Sequence, residues 1–333
     1  MEGVGLSEGT WRERTVLVTG AAGLVGSWLS ESLVAAGARV VGLVRDVDRR
    51  SHLFRSGTDQ RMVIVTGDLA DLTTLERAVV QYKADTVFHL GAQAIVSIAE
   101  ESPIETFESN VRGTYNLLEA CRRHPGTVKR VVVASSDKAY GAQAVLPYTE
   151  DMPLEGRHPY EVSKSCADLI ARSYFKSYAL PVVIARCGNI YGGGDLNWSR
   201  LVPDVIRASL RGEAPVLRSD GKYVRDYIYV QDVVSAYEAL ATASDDRRNH
   251  GEAFNFSPER PYTVLEVVAA IQSAVGSSVE PVILDSAKNE IHSQYLDAGK
   301  ARKALGWSPG YSLAEGLTET IEWYRSFLAE NGD

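Results

Sequence analysis

The sequence predicts an α/β protein, a doubly wound parallel sheet with a smaller α/β substrate lobe towards the C-terminus. Three observations carry that expectation. Short runs rich in β-branched residues alternate with longer helical patterns through the first half of the 333-residue chain. The strand-like runs are apolar throughout, as strands buried on both faces require. A glycine-rich turn, Gly20-Ala-Ala-Gly23-Leu-Val-Gly26, joins the first of these runs to the first helical pattern.

Taken in order, Thr15 to Thr19 (TVLVT) reads as a buried strand and Leu24 to Ala36 as a helix ended by Gly37. Val40 to Val44 is a second strand, Met62 to Val65 a third, Leu72 to Tyr82 a helix, and Thr86 to Leu90 a fourth strand. A long helix is expected from about Pro103 to Arg123, then a fifth strand at Arg130 to Ala134 (RVVVA). A helix around Tyr160 to Tyr178 and a strand at Pro181 to Ala185 continue the pattern. Beyond them, Gly192 to Gly194, Pro203, Pro215, Gly221, Pro258, Pro261 and Pro281 punctuate short elements. Ser244 to Gly251 reads as a polar loop, and a helix near Leu313 to Leu328 closes the chain. The expected division is a dinucleotide-binding and catalytic domain over 14–188 and a lobe over 189–330, with the chain crossing between them.

Composition narrows the partners. With 43 acidic and 35 basic side chains the net charge is −8, so a basic field for nucleic acid or a membrane surface is not expected. Apolar residues at 45% and charged residues at 23% are those of a soluble globular protein. Met1 to Arg14 has no apolar core of the kind a signal peptide carries, and no apolar run approaches membrane-span length. Cys121, Cys166 and Cys187 lie far apart, which fits reduced thiols and a cytoplasmic protein. No histidines or cysteines show ligand spacing, so no metal is expected.

The glycines sit where they carry meaning, between a strand and a helix. They permit a tight turn and close backbone approach to a pyrophosphate, which the helix N-terminus then meets with free N–H groups. The spacing is GxxGxxG rather than GxGxxG. The second strand ends in Val44-Arg45-Asp46, which offers an acid for the ribose of NAD and an arginine for the phosphate of NADP. NAD is the expected cofactor, with NADP left open. Asp68, after the third strand, is placed to meet the adenine amino group or to cap a helix.

Tyr160-Glu-Val-Ser-Lys164 puts a phenol and an ammonium four residues apart on one helix face. A close Lys⁺ is expected to lower the phenol's pKa and fit it to take a hydroxyl proton. Ser136, at the end of the fifth strand, is placed to hold the substrate hydroxyl beside Tyr160.

These residues, together with His89-Leu90-Gly91-Ala92, Asn110, Arg186-Cys-Gly-Asn189-Ile-Tyr191-Gly192, Arg225-Asp226-Tyr227 to Val233, and Leu305-Gly306-Trp307, resemble the extended short-chain dehydrogenase/reductases, a Rossmann-like family, over about Arg14 to the C-terminal helix. Within it the chain is most similar to nucleotide-sugar 4,6-dehydratases, and among these to CDP-glucose 4,6-dehydratases. Ser136-Asp137-Lys138, Gly192 to Pro203 and Glu290 to Leu296 carry that finer likeness. The glycine loop AAGLVG departs from that branch's bulkier, basic version, and Arg45 is unexpected in a strictly NAD-using enzyme.

The resemblance implies cofactor contacts from Gly20, Gly23, Leu24, Val25, Gly26, Arg45, Asp68, Leu69, Leu90, Ala92, Tyr160 and Lys164. It implies catalysis by Ser136, Asp137, Lys138, Tyr160 and Lys164, and sugar-nucleotide contacts from Asn110, Asn189, Arg200, Arg225 and His292. The implied reaction oxidises C4 of a nucleotide-diphosphate sugar, eliminates water across C5–C6, and returns hydride to C6, giving a 4-keto-6-deoxy sugar. Asp137 would be the acid on the C6 oxygen, and Lys138 the base or the group that sets the charge of Asp137. A 4-epimerase, served equally by Ser136, Tyr160 and Lys164, is the alternative, and an NADPH-dependent keto-sugar reductase a lesser one. A homodimer through the two long helices is also implied.

Overall fold

The structure is a computed structural model describing residues 11–286 and 290–331. Residues 1–10, and with them most of the N-terminal segment judged not to be a signal peptide, lie outside the described residues.

Six strands of the large sheet come in order from the first half of the chain and its edge: β1 (Thr15–Thr19), β2 (Arg39–Val44), β3 (Val63–Thr66), β4 (Thr86–His89), β5 (Arg130–Ala134) and β6 (Val182–Cys187). A seventh, Ala253–Phe256, pairs with β6, and the spatial order is Ala253–Phe256, β6, β5, β4, β1, β2, β3. All of these pairings are parallel. Val16, Leu17 and Val18 are completely buried, because helices cover both faces. Helices Leu24–Ala35 and Val230–Ala243 pack on one face, and Leu72–Tyr82, Gly113–Arg123 and Pro159–Tyr178 on the other. Both Val230–Ala243 and Ala253–Phe256 therefore return from beyond residue 189 to complete the first domain. The strand order reverses between β1 and β4, which opens a crevice at their carboxyl ends.

The stretch expected as one long helix is broken. Val96–Glu101 is a separate short helix, and Pro103–Phe107 and Gly113–Arg123 flank a wide π-type turn over Glu108–Arg112. Gly113 follows that turn because its backbone lies against Leu69, whose Cβ would be 2.7 Å from any side chain added there. Wide turns of this kind redirect a side chain at a site, and here the one redirected is Asn110.

The lobe is built on a four-stranded sheet in which Val224–Tyr229 pairs with Asn189–Tyr191, Pro261–Thr263 and Ser293–Gln294. Helices Leu201–Arg211, Val264–Val275 and Leu313–Asn331 cover it. A seam fastens it to the first domain: Trp28 stacks on His52 at 3.8 Å between ring centres and donates from Nε1 to the Gly193 carbonyl at 2.7 Å. Among the described residues no helix is long and apolar enough to cross a membrane, and no cluster of metal-ligating side chains comes together.

Candidate active site

A cavity of about 1200 Å³ runs along the carboxyl ends of the large sheet and into the lobe. The glycine turn lines it. Gly20 adopts φ +68°, and a Cβ there would lie 2.7 Å from the Gly91 backbone, while a Cβ on Gly26 would lie 2.1 Å from the Gly20 carbonyl oxygen. Gly23 is the N-cap of the Leu24–Ala35 helix and brings no capping side chain. The first-turn N–H groups are thus left to an anionic ligand. Gly20, Gly23, Leu24, Val25, Gly26, Arg45, Asp68, Leu69, Leu90 and Ala92 all line the cavity.

At the end of β2, Arg45 donates from Nε to its neighbour Asp46 at 2.7 Å, so its charge is offset before any ligand arrives. Asp68 is not the helix cap. Asp71 takes that role by accepting from Thr73 N, and Asp68 accepts from Ala70 N at 2.7 Å from the cavity wall.

The catalytic helix, Pro159–Tyr178, begins with proline at its first position, and Glu161 accepts from the Arg157 and His158 backbone N–H groups at 2.9 and 3.4 Å. That start places Tyr160 and Lys164 on the cavity. Lys164 Nζ donates to the Ala134 carbonyl at 3.1 Å, and burial lowers its pKa to about 8. Burial pushes the Tyr160 phenol up, opposed by the positive charge of Arg200 and by a hydrogen bond with Ser136. The Lys164 ammonium is turned to a backbone carbonyl of β5, and the positive charge of Arg200 that opposes the rise of the phenol comes from the lobe.

Opposite the helix, Ser136 caps a single turn over Asp137–Tyr140 and accepts from Lys138 N at 3.2 Å. Asp137 is buried. Its Oδ1 accepts from the Ser136 hydroxyl at 2.9 Å, while Oδ2 has no partner. Burial raises its pKa, against the nearby charges of Lys138 and Arg225. The Lys138 amine moves the other way, lowered by burial and then by Arg225. The turn thus holds a carboxyl biased towards its protonated form next to an amine biased towards its neutral form.

Of the five expected substrate contacts, Asn189, Arg200 and Arg225 line the cavity. The other two are corrections. Asn110 stands one layer behind, with Oδ1 accepting from Gln93 N at 2.7 Å and Nδ2 donating to Gln93 O and to Ser163 Oγ, both at 2.9 Å. Its amide is fully engaged in joining the loop after β4 to the catalytic helix. His292 has an exposed ring beside Tyr223, and it is its carbonyl that acts, accepting from Arg225 Nη1 at 3.0 Å. Arg225 also donates to the Ile291 carbonyl, so it secures this segment as well as facing the cavity.

His89 is a buried linker. Its ring nitrogens meet Thr19 Oγ1 at 2.9 Å and Thr114 Oγ1 at 3.0 Å, and burial lowers its pKa to about 3. The cysteines are unpaired, and Cys187 lies on the cavity wall. Sequence reasoning gave no role to Asp195, which holds Arg200 at 3.0 Å, or to Gln93, whose backbone groups meet the Asn110 amide and whose Oε1 accepts from Ile95 N at 2.9 Å. The five-residue spacing of Asp195 and Arg200 was the one available signal for the former, and Gln93 had none.

The family model described as GDP-mannose 4,6 dehydratase matches residues 17–320. The chain belongs to this family. It is an enzyme of the extended short-chain dehydrogenase/reductase class. CDP-glucose 4,6-dehydratase of Salmonella typhimurium is 33% identical, covering 96% of this chain and 92% of that protein. UDP-glucose 4-epimerase of Mycolicibacterium smegmatis is also 33% identical, over 93% of this chain and 98% of its own length. Among solved structures, dTDP-glucose 4,6-dehydratase from Streptomyces venezuelae with NAD and TYD bound superposes with a TM-score of 0.85 at 30% identity, covering 95% of this chain and 98% of that one. Overall identity thus ranks a dehydratase and an epimerase equally.

Proposed function

We propose that this family member is a nucleotide-sugar 4,6-dehydratase, with CDP-glucose the first candidate substrate and NAD the cofactor. The single observation that carries the reading is Asp137: a buried carboxyl biased towards protonation, with one oxygen unpartnered, on the same cavity as Tyr160 and the glycine turn. Exchange of configuration at C4 needs no acid there, whereas expulsion of a C6 hydroxyl does.

The uncapped helix N-terminus and the offset charge of Arg45 fit a dinucleotide whose adenosine ribose carries no phosphate. Held by Gly20, Gly23, Gly26 and the helix N-terminus, NAD would supply the hydride acceptor for C4 and, once reduced, the hydride for C6. Tyr160 takes the C4 hydroxyl proton as that carbon is oxidised, and Ser136 holds the same oxygen. The resulting ketone acidifies C5–H. Lys138, in its neutral form, removes that proton. Asp137 protonates the departing C6 oxygen, so one water leaves, and return of the C5 proton from Lys138 as hydride is delivered to C6 gives the 4-keto-6-deoxy sugar. Arg225 and Asn189 face the part of the cavity that would receive the diphosphate.

Incubation with CDP-, UDP-, dTDP- and GDP-glucose, each analysed by mass, tests this. A product lighter by one water, formed without added NADH, is expected, and fastest with CDP-glucose. A product of unchanged mass would establish the epimerase reading that the Mycolicibacterium relative favours.

A homodimer is part of the proposal. Ile104, Tyr115, Leu169 and Tyr178 leave apolar surface exposed along the catalytic helix and its neighbours, Ile104 by 75%, and a second copy presenting the same helices would cover it. Sedimentation should give a dimer, and a concentration-independent monomer would end the idea. Unpaired cysteines suit the reducing cytoplasm as its compartment.

A further inference from the structure

The seam between the first domain and the lobe closes on a loop that leads directly into the cavity wall. Gly192 to Gly194 follow strand Asn189–Tyr191, and every residue from Gly194 to Arg200 lines the cavity. Three rings meet this loop at two consecutive glycines. Trp28 donates from Nε1 to the Gly193 carbonyl at 2.7 Å. A Cβ on Gly193 would lie 2.3 Å from Trp323 Cγ, and one on Gly194, where φ is +93°, would lie 2.9 Å from His52 Cβ. The next residue is gripped as well: the Asp195 carbonyl accepts from the Tyr324 hydroxyl at 2.6 Å, and its carboxylate holds Arg200 at 3.0 Å.

His52, in the short helix His52–Arg55 of the first domain, joins the two sides and is only 7% exposed. Its Nε2 meets Glu31 Oε2 at 2.7 Å, and Trp323, from helix Leu313–Asn331 of the lobe, donates from Nε1 to its Nδ1 at 3.3 Å. An indole nitrogen can only donate, so Nδ1 accepts and the ring proton stands on Nε2, facing the Glu31 carboxylate. The neutral Nε2–H tautomer alone makes both bonds. A second proton, on Nδ1, would set N–H against N–H and break the bond across the seam. We propose that His52 is a positioning residue for the substrate loop: its neutral ring ties Trp323 to the first domain beside Trp28, and the three rings together fix Gly193 and Gly194, from which the Asp195–Arg200 wall of the cavity continues.

Two charged groups act on the ring, Glu31 from helix Leu24–Ala35 and Arg55 from its own helix. Arg55 lies over the Trp323 ring and is paired with Glu330 of the lobe helix at 2.7 Å, while Asp48, in the loop before His52, is paired with Arg50 at 2.9 Å. Gly192 to Gly194 bring no charge. Burial lowers the His52 pKa, opposed by Glu31. The neutral ring therefore persists at neutral pH, and the clamp loosens only as pH falls through that lowered value.

The test rests on the proposed function for its ligand alone, CDP-glucose, and uses the NAD-loaded full-length enzyme carrying Tyr160→Phe to prevent turnover. From about pH 7.5 to about pH 5, a range that spans imidazole titration, affinity should fall about three- to tenfold more with His52 present than in His52→Gln, the scale of one hydrogen bond. Glutamine can accept from Trp323 and donate to Glu31 throughout, so the two should bind equally at the higher pH. His52→Phe keeps a ring but neither bond, and should bind weakly at both. Other groups that titrate, Asp137 among them, are common to all the variants and cancel in the comparison. Without ligand, amide hydrogen exchange of segment 192–201 should be faster with His52 than in His52→Gln at the lower pH, and equal at the higher. Affinity and exchange that follow one pH course in both proteins would overturn the proposal and leave His52 a packing ring. CDP-glucose that fails to bind at any pH would instead count against the proposed substrate, and the exchange comparison would then decide the role of His52.

Discussion

Asp137→Asn is expected to reduce dehydration by roughly 10²–10⁴-fold, the range for loss of a positioned general acid, while leaving dinucleotide and nucleotide-sugar binding in place. The side chain is buried, one oxygen already serves as acceptor for Ser136, and the other has no partner. Asparagine preserves that shape and the Ser136 contact, but it has no acidic proton for the C6 oxygen. Because C4 oxidation depends on Tyr160 rather than Asp137, the variant should stall after that step. The near-ultraviolet absorbance of reduced nicotinamide should therefore accumulate on adding substrate. The pH dependence has a defined sign. Burial raises the Asp137 pKa, so the protonated form persists above the range of exposed carboxyls, and activity falls only as pH climbs through the raised value. An Asp137→Asn enzyme with unimpaired elimination would remove Asp137 from the mechanism.

Asp168→Ala should be the most destabilising single change near the site, by about 3–5 kcal/mol, the range for breaking a buried ion pair. Asp168, on the catalytic helix, receives Arg186 Nε at 2.8 Å and Nη2 at 3.0 Å, and neither side chain is exposed to solvent. Arg186 is the last residue but one of β6, two before Gly188 and three before Asn189 on the cavity wall. Its other contacts, Tyr140 Oη at 2.7 Å, the Glu150 backbone carbonyl at 3.4 Å and the Tyr140 ring at 4.8 Å, carry no formal negative charge at neutral pH. Removing the carboxylate leaves a guanidinium without its counter-charge in the core, and arginine cannot escape by deprotonation. Chemical denaturation should show the loss, and a change below about 1 kcal/mol would mean that Tyr140 and neighbouring backbone alone suffice to hold the guanidinium.

The readable and unreadable parts of the site differ in the range of the forces that form them. The glycine turn, the Tyr160–Lys164 spacing and the Ser136-Asp137-Lys138 turn are local. Each is defined by a few consecutive residues or one helical turn, and each stands where its strand or helix was expected. The π-type break at Glu108–Arg112 was not legible, and beside it Gly113 lies against Leu69, some forty residues away in the chain. Asn110 and His292 were assigned to substrate by likeness. Their positions are decided by backbone atoms of Gln93 and by Arg225, which no side-chain pattern announces.

By itself the sequence determined the parallel sheet, the strand–turn–helix that receives an anion and the set of reactive side chains, since these depend on hydrophobic periodicity, glycine geometry and helical spacing. Only the tertiary structure decided which charges those side chains feel. Lys164 turns to Ala134, Arg200 arrives from the lobe, and Asp137 and Lys138 are driven towards neutrality by burial. Electrostatic interaction depends on distance through space and on exclusion of water, and neither is a property of distance along the chain.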